Sequence, residues 1–206
     1  MGLVTNFLNP TLMTKSVKSL VLITISSLLF NLAEAQLKLP LMNAIGGDIK
    51  KVLEDYPNRF INLMGEVVAE NTQSTDYQCN FNIHGAEEAI ITRYSARKEV
   101  CSWQALMLTT ENFDKAKQKF KALYNQLNNL SVDIDKKNFR MNGKYEVPAA
   151  EKKFTSIIFS IEPENESVKK LRVEISMQYF APMEWKVKLL VYDKDREDDE
   201  RGAIRE

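Results

Sequence analysis

LRVEISMQYFAPMEWKVKLLV (171–191) decides the fold. Leu171, Val173, Ile175, Met177 and Tyr179 alternate with Arg172, Glu174, Ser176 and Gln178. Ala181-Pro182 then breaks the run, and Trp185, Val187, Leu189 and Val191 alternate with Lys186 and Lys188. A period of two places successive side chains on opposite faces of a strand. Two such runs with one apolar and one polar face predict an antiparallel sheet covered on one side only.

Upstream of this pair, Phe154 to Ile161 alternates in the same way, and Glu162 to Ser167 reads as a turn. Asn142-Gly143, inside Phe139–Tyr145, is a tight-hairpin signal. Tyr77, Cys79, Phe81 and Ile83 predict another half-buried strand, followed by a turn at His84-Gly85. Ala89 to Tyr94 and Glu99 to Leu108 are two more strands.

Two segments switch to the helical period. Ile49, Val52, Leu53, Tyr56, Phe60 and Met64 form an apolar face after Gly46-Gly47-Asp48, with Asp48 as the expected N-cap and Pro57 expected to give a kink or two short helices. Phe113, Ala116, Phe120, Leu123, Tyr124, Leu127 and Leu130 form the clearer stripe, with Thr110 as its expected cap. The lysines 115, 117, 119 and 121 read as a solvated face. The expected fold is α+β: an antiparallel sheet of about seven strands with two amphipathic helices on one face. The element order suggests two halves, each a helix followed by three strands or so.

The N-terminal stretch places the protein. Lys15 and Lys18 precede an apolar run from Leu20 to Leu32, and Ala33-Glu34-Ala35 ends it. A basic start, a short apolar middle and small residues at a cleavage point make a secretory signal peptide over 1–35, with Met13 a natural start. The run is short of the ~20 residues that cross a bilayer. The expectation is an exported, periplasmic or extracellular protein with one domain over 36–192, no membrane span after cleavage, and a charged, disordered tail over 193–206.

Composition limits the function. Lysine plus arginine equals aspartate plus glutamate across the chain. Losing Lys15, Lys18 and Glu34 with the leader leaves a net charge of about −1. A nucleic-acid binder needs a basic excess, so no nucleic-acid partner is expected. In an exported chain Cys79 and Cys101 are expected to form a disulfide. No phosphate-binding glycine loop, nucleophile elbow or zinc-ligand spacing is present, and no cofactor or metal is expected.

The best polar cluster is the single histidine, His84, with Glu87 and Glu88. Trp103, Tyr179, Phe180 and Trp185 are the candidate contacts for a partner, Phe180 above all because it lies in the polar register of its strand. The primary expectation is a non-catalytic binding module for an unknown protein. The first alternative is a carrier of a small apolar ligand or lipid, held between helices and sheet. The second is a hydrolase using His84 with Glu87 or Glu88.

The export signal, the kinked helix, HGAEEAIITRY (84–94) and the later amphipathic helix together resemble small exported bacterial proteins of unknown function. That resemblance implies the compartment and transfers no active site. The element order also resembles small α+β sheets with helices on one face, which serve as inhibitors, chaperones and ligand carriers. Such a likeness of fold does not assign a function.

Overall fold

The structure is a computed structural model and describes residues 41–95 and 100–195. The expected leader over 1–35 and the tail beyond Asp195 lie outside the described residues.

Among the described residues the order is α1 (Leu41–Glu54), β1 (Met64–Glu70), β2 (Ser74–Cys79), β3 (Glu88–Tyr94), β4 (Cys101–Thr110), α2 (Phe113–Leu127), β5 (Ser131–Ile134), β6 (Lys137–Asn142), β7 (Phe154–Glu162), β8 (Leu171–Phe180) and β9 (Glu184–Asp193). The strands form one sheet in the order β1-β2-β3-β4-β9-β8-β7-β6-β5, and every neighbouring pair is antiparallel. Read inward from either edge, two meanders converge on the β4–β9 pair, each introduced by a helix. The expected α+β class holds. The sheet has nine strands where about seven were expected, and the halves carry four and five where three, then three or four, were expected.

One face of the sheet carries the core. Trp103, Ala105 and Met107 of β4, Val187, Leu189 and Val191 of β9, and Val173, Ile175 and Met177 of β8 pack in one cluster. Ile49, Val52 and Leu53 of α1 and Ala116, Phe120, Leu123 and Leu127 of α2 belong to the same cluster, so both helices cover the same face. The register aligns Trp103 with Val191 and Ile91, and Val191 with Val173, which makes this face continuous across the centre.

Several local expectations change. α1 starts at Leu41, so Asp48 lies inside the helix and is not its N-cap. Of the two outcomes expected at Pro57, a kink or two short helices, the structure has the second. α1 ends at Glu54, and Pro57 sits in a separate short turn, Tyr56–Asn58. Buried Asp55 accepts from Asn58 Nδ2, Asn62 N and Asn62 Nδ2, and so holds the tight turn in which Arg59 and Phe60 have positive φ. Met64, expected on the helical face, instead opens strand β1.

The N-cap of α2 is Asn112, whose Oδ1 accepts from Lys115 N at 2.9 Å, while Thr110 Oγ1 accepts from Asn112 N. The tight hairpin is at Asp135-Lys136, both with positive φ as a two-residue primed turn requires. Asn142-Gly143 instead ends β6. β9 runs to Asp193, and Lys170 pairs with Asp195 at 2.6 Å, so the ordered domain extends beyond residue 192.

The disulfide expectation is overturned. Cys79 and Cys101 are both buried and are not bonded to each other. β3 lies between their strands. Gln78 is level with Ile90 and Ile90 with Gln104, whereas Cys101 is level with Arg93 and Thr75. The two cysteines are therefore offset by four residues along the strands, about 13 Å, and by two strand spacings. A disulfide needs Cα atoms within about 7 Å.

Candidate functional site

The face opposite the helices is built by the alternate residues of the same strands. Ile90 of β3, Leu106 of β4, Leu190 of β9, Phe180 of β8 and Ile158 of β7 point there, and none of them joins the core cluster. Around them stand Gln104, Glu174, Gln178, Lys186 and Lys188. Tyr192 donates to Glu174 Oε2 at 2.8 Å across the same surface.

A shallow depression of about 210 Å³ lies here, lined by Glu88, Ile90, Gln104, Leu106, Phe180, Lys186 and Lys188. Lys186 Nζ stands 5.2 Å from the Phe180 ring centroid and 3.6 Å from Glu184. An apolar floor beside two ammonium groups suits a ligand or partner surface with both apolar and acidic groups. Phe180 is thus where its register put it. Glu88 also lines this depression and is separate from His84.

The other aromatic candidates are placed differently. Trp103 is fully buried, and Trp185 is buried against Phe113 and Tyr179, with ring centroids 5.2 Å away in each case. Both tryptophans are core residues, because their strand positions have the parity of the helix-covered face. Tyr179 shares that parity, is half-buried, and donates through its hydroxyl to Pro182 O.

His84 has a partner that the sequence did not suggest. Asp48, on α1 and only 5% exposed, accepts from His84 N at 2.9 Å and lies 2.7 Å from His84 Nδ1. A carboxylate only accepts, so Nδ1 carries the proton and the tautomer is fixed. The His84 side chain is 56% exposed, and Nε2 has no partner among the described residues. Glu87 is engaged elsewhere: its two oxygens accept from Thr109 N and Thr109 Oγ1, each at 2.8 Å.

Lys119 of α2 donates to Gly85 O at 3.0 Å, and burial holds its ammonium below the usual lysine range against the opposing pull of Glu87. The loop that carries His84 is therefore fastened to α1, α2 and β4. The expected pairing of His84 with Glu87 or Glu88 gives way to His84 with Asp48.

A broader open groove of about 1210 Å³ lies beside the β7–β8 connection. Of its three lysines, Lys169 pairs with Glu166 at 3.3 Å and Lys170 with Asp195 at 2.6 Å. Among the described residues no three metal-ligating side chains converge, and no helix is long and apolar enough to cross a membrane. No protein-family model matches the chain, and comparisons with curated proteins and with solved structures return no match either.

Proposed function

We propose that the protein is an exported interaction module that engages a partner protein through the sheet face opposite its helices. The observation that carries this reading is the placement of Ile90, Leu106, Phe180, Leu190 and Ile158 on that face and outside the core. Side chains of this size on a face that no described element covers are what a partner surface buries. Export rests on the N-terminal pattern of Lys15, Lys18 and the run Leu20–Leu32.

The test is a double substitution, Leu106→Asp with Phe180→Asp, in the native host. The folded variant is expected to lose the partner recovered with the wild-type chain by crosslinking and to reproduce the deletion phenotype. An unchanged set of crosslinked partners would sink the reading.

A carrier needs room between helices and sheet, and Phe60, Trp103, Met107, Phe120 and Phe159 fill that layer. The hydrolase reading is favoured by one observation, the buried Asp48 that orients a half-exposed imidazole. In that reading Nε2 accepts the proton of an attacking water. Any ester or amide hydrolysis that survives His84→Ala would remove it.

A further inference from the structure

The ladder between β6 and β7 is short. Arg140, Met141 and Asn142 pair with Glu162, Ile161 and Ser160, and pairing stops there, although β7 begins at Phe154. The chain turns away at Gly143. Tyr124 donates its hydroxyl to Gly143 O at 3.1 Å, Gly143 N donates to Asn128 Oδ1 at 3.0 Å, and the Tyr145 ring packs 5.0 Å from Tyr124. The continuation of β6 thus climbs into the helix layer. Among the described residues, Phe154–Phe159 is left with β8 on one side and no strand on the other.

The direction of the backbone groups follows from its two ends. Lys153 O accepts from Tyr179 N at 2.8 Å, so the odd residues of β7 face β8. Antiparallel pairing alternates, so Phe154, Ser156 and Ile158 aim their N–H and C=O outward. Among the described residues no hydrogen bond reaches these groups. Phe154 is 53% and Ile158 48% exposed, in keeping with an open edge.

The sequence here is FTSIIF, with no charge and no proline. Natural edge strands are blunted by charges, prolines, bulges or brevity. The two outer edges follow that rule. β1 carries Glu66 and Glu70 and breaks register on both sides of Val67. β5 spans only Ser131–Ile134 and carries Asp133. The β7 segment has none of these devices.

We propose that the β7 edge from Phe154 to Ile158 is a strand-addition site for an extended, uncharged peptide segment of a partner. Main-chain hydrogen bonds to Ser156 and its neighbours would supply affinity, and alternate side chains would supply selection. On the open face the added strand would lie beside Phe154 and Ile158, which favours apolar residues. On the helix side a Cβ at Gly143 would already meet the Phe159 ring at 2.7 Å, so small residues fit there.

A second copy of this chain does not fit the slot. Two copies paired about Ser156 would bring Asn142 of one, level with its own Ser160, onto the line of Lys152 of the other. The edge binds backbone, whereas the face proposed above binds side chains, so the two readings stand or fall separately.

The probe is a short fluorescein-labelled peptide alternating valine and alanine, titrated with the full chain and read by anisotropy. A second peptide is N-methylated along its pairing edge. Ser156→Pro deletes the outward N–H at a position where a sheet edge tolerates proline, and leaves Leu106 and Phe180 in place. Saturable binding is expected, at least about tenfold weaker for Ser156→Pro and for the methylated peptide. No saturable binding up to about 1 mM, or equal binding by a folded Ser156→Pro chain, would overturn the proposal. If that variant does not fold, the methylated peptide decides, and equal affinity for it is fatal. A concentration-dependent dimer abolished by Ser156→Pro would instead assign the edge to a second copy and overturn the peptide partner.

Discussion

Asp48 holds His84 twice, through the backbone N–H at 2.9 Å and the ring Nδ1 at 2.7 Å. The carboxylate is buried and the imidazole half-exposed. Removing the acceptor therefore costs more than removing the ring. Asp48→Ala strips two charge-assisted bonds and is expected to cost about 2–4 kcal/mol, against about 1 kcal/mol for His84→Ala. Chemical denaturation of both variants checks the order, and a larger loss for His84→Ala would contradict it.

Tyr56, in the short turn after α1, ties that turn to the end of β9, donating from its hydroxyl to Asp193 Oδ2 at 3.2 Å. Burial, then the Asp193 charge and hydrogen bond, holds the phenol well above its ordinary range. A group whose folded pKa is raised contributes stability below its unfolded value and loses it as pH rises. Wild-type stability should therefore fall once pH passes about 10, the unfolded phenol's value, and Tyr56→Phe should flatten that alkaline limb. Thermal midpoints taken from pH 8 to 11 read the difference, and parallel curves would count against it.

Much of the sheet was legible because one face is buried. Val173, Ile175 and Met177, or Val187, Leu189 and Val191, cannot shift by one residue without turning the core outward. β1 was not legible, because it is exposed on nearly every residue and burial imprints no alternation on Glu66–Glu70. The Asp135-Lys136 turn was missed because it takes left-handed φ without glycine or asparagine, whereas Asn142-Gly143 carried the usual signal and ends a strand instead. Asp48 with His84 was illegible for another reason: their pairing depends on how α1 lies on the sheet, which no local pattern encodes. The compartment argument for a disulfide failed on geometry, since β3 separates the two cysteine strands.

Two glycines should respond in opposite directions. A Cβ at Gly143 would meet the Phe159 ring at 2.7 Å, so Gly143→Ala overpacks and should cost about 1–3 kcal/mol. Gly47 lies in the body of α1, where an added Cβ would meet nothing within 4 Å, so Gly47→Ala should stabilise by about 0.5–1 kcal/mol. Urea midpoints settle both signs.

The two cysteines should keep separate thiols. The intact mass of the oxidised, folded chain is expected to be unchanged by reductant, and thiol reagents should label both sites fully only after unfolding, given their burial. A loss of two hydrogens in the non-reduced mass would overturn the register described for β2, β3 and β4.

Aromatic side chains on the two faces should separate function from stability. Trp103→Ala removes a fully buried ring and should cost about 3–5 kcal/mol. Phe180→Ser, on the uncovered face, should cost less than about 1 kcal/mol. Similar losses at both positions would mean that Phe180 is packed as a core residue.

The most direct test of the interaction reading is carbene footprinting of the protein alone and in extract of its native host. Alone, Ile158, Phe180 and Leu106 are expected to be labelled while Trp103 and Trp185 are not. In extract, labelling of those three should drop together. Labelling that stays the same on this face, or a Phe180 already protected in the isolated chain, would contradict the assignment of the uncovered sheet face as the contact surface.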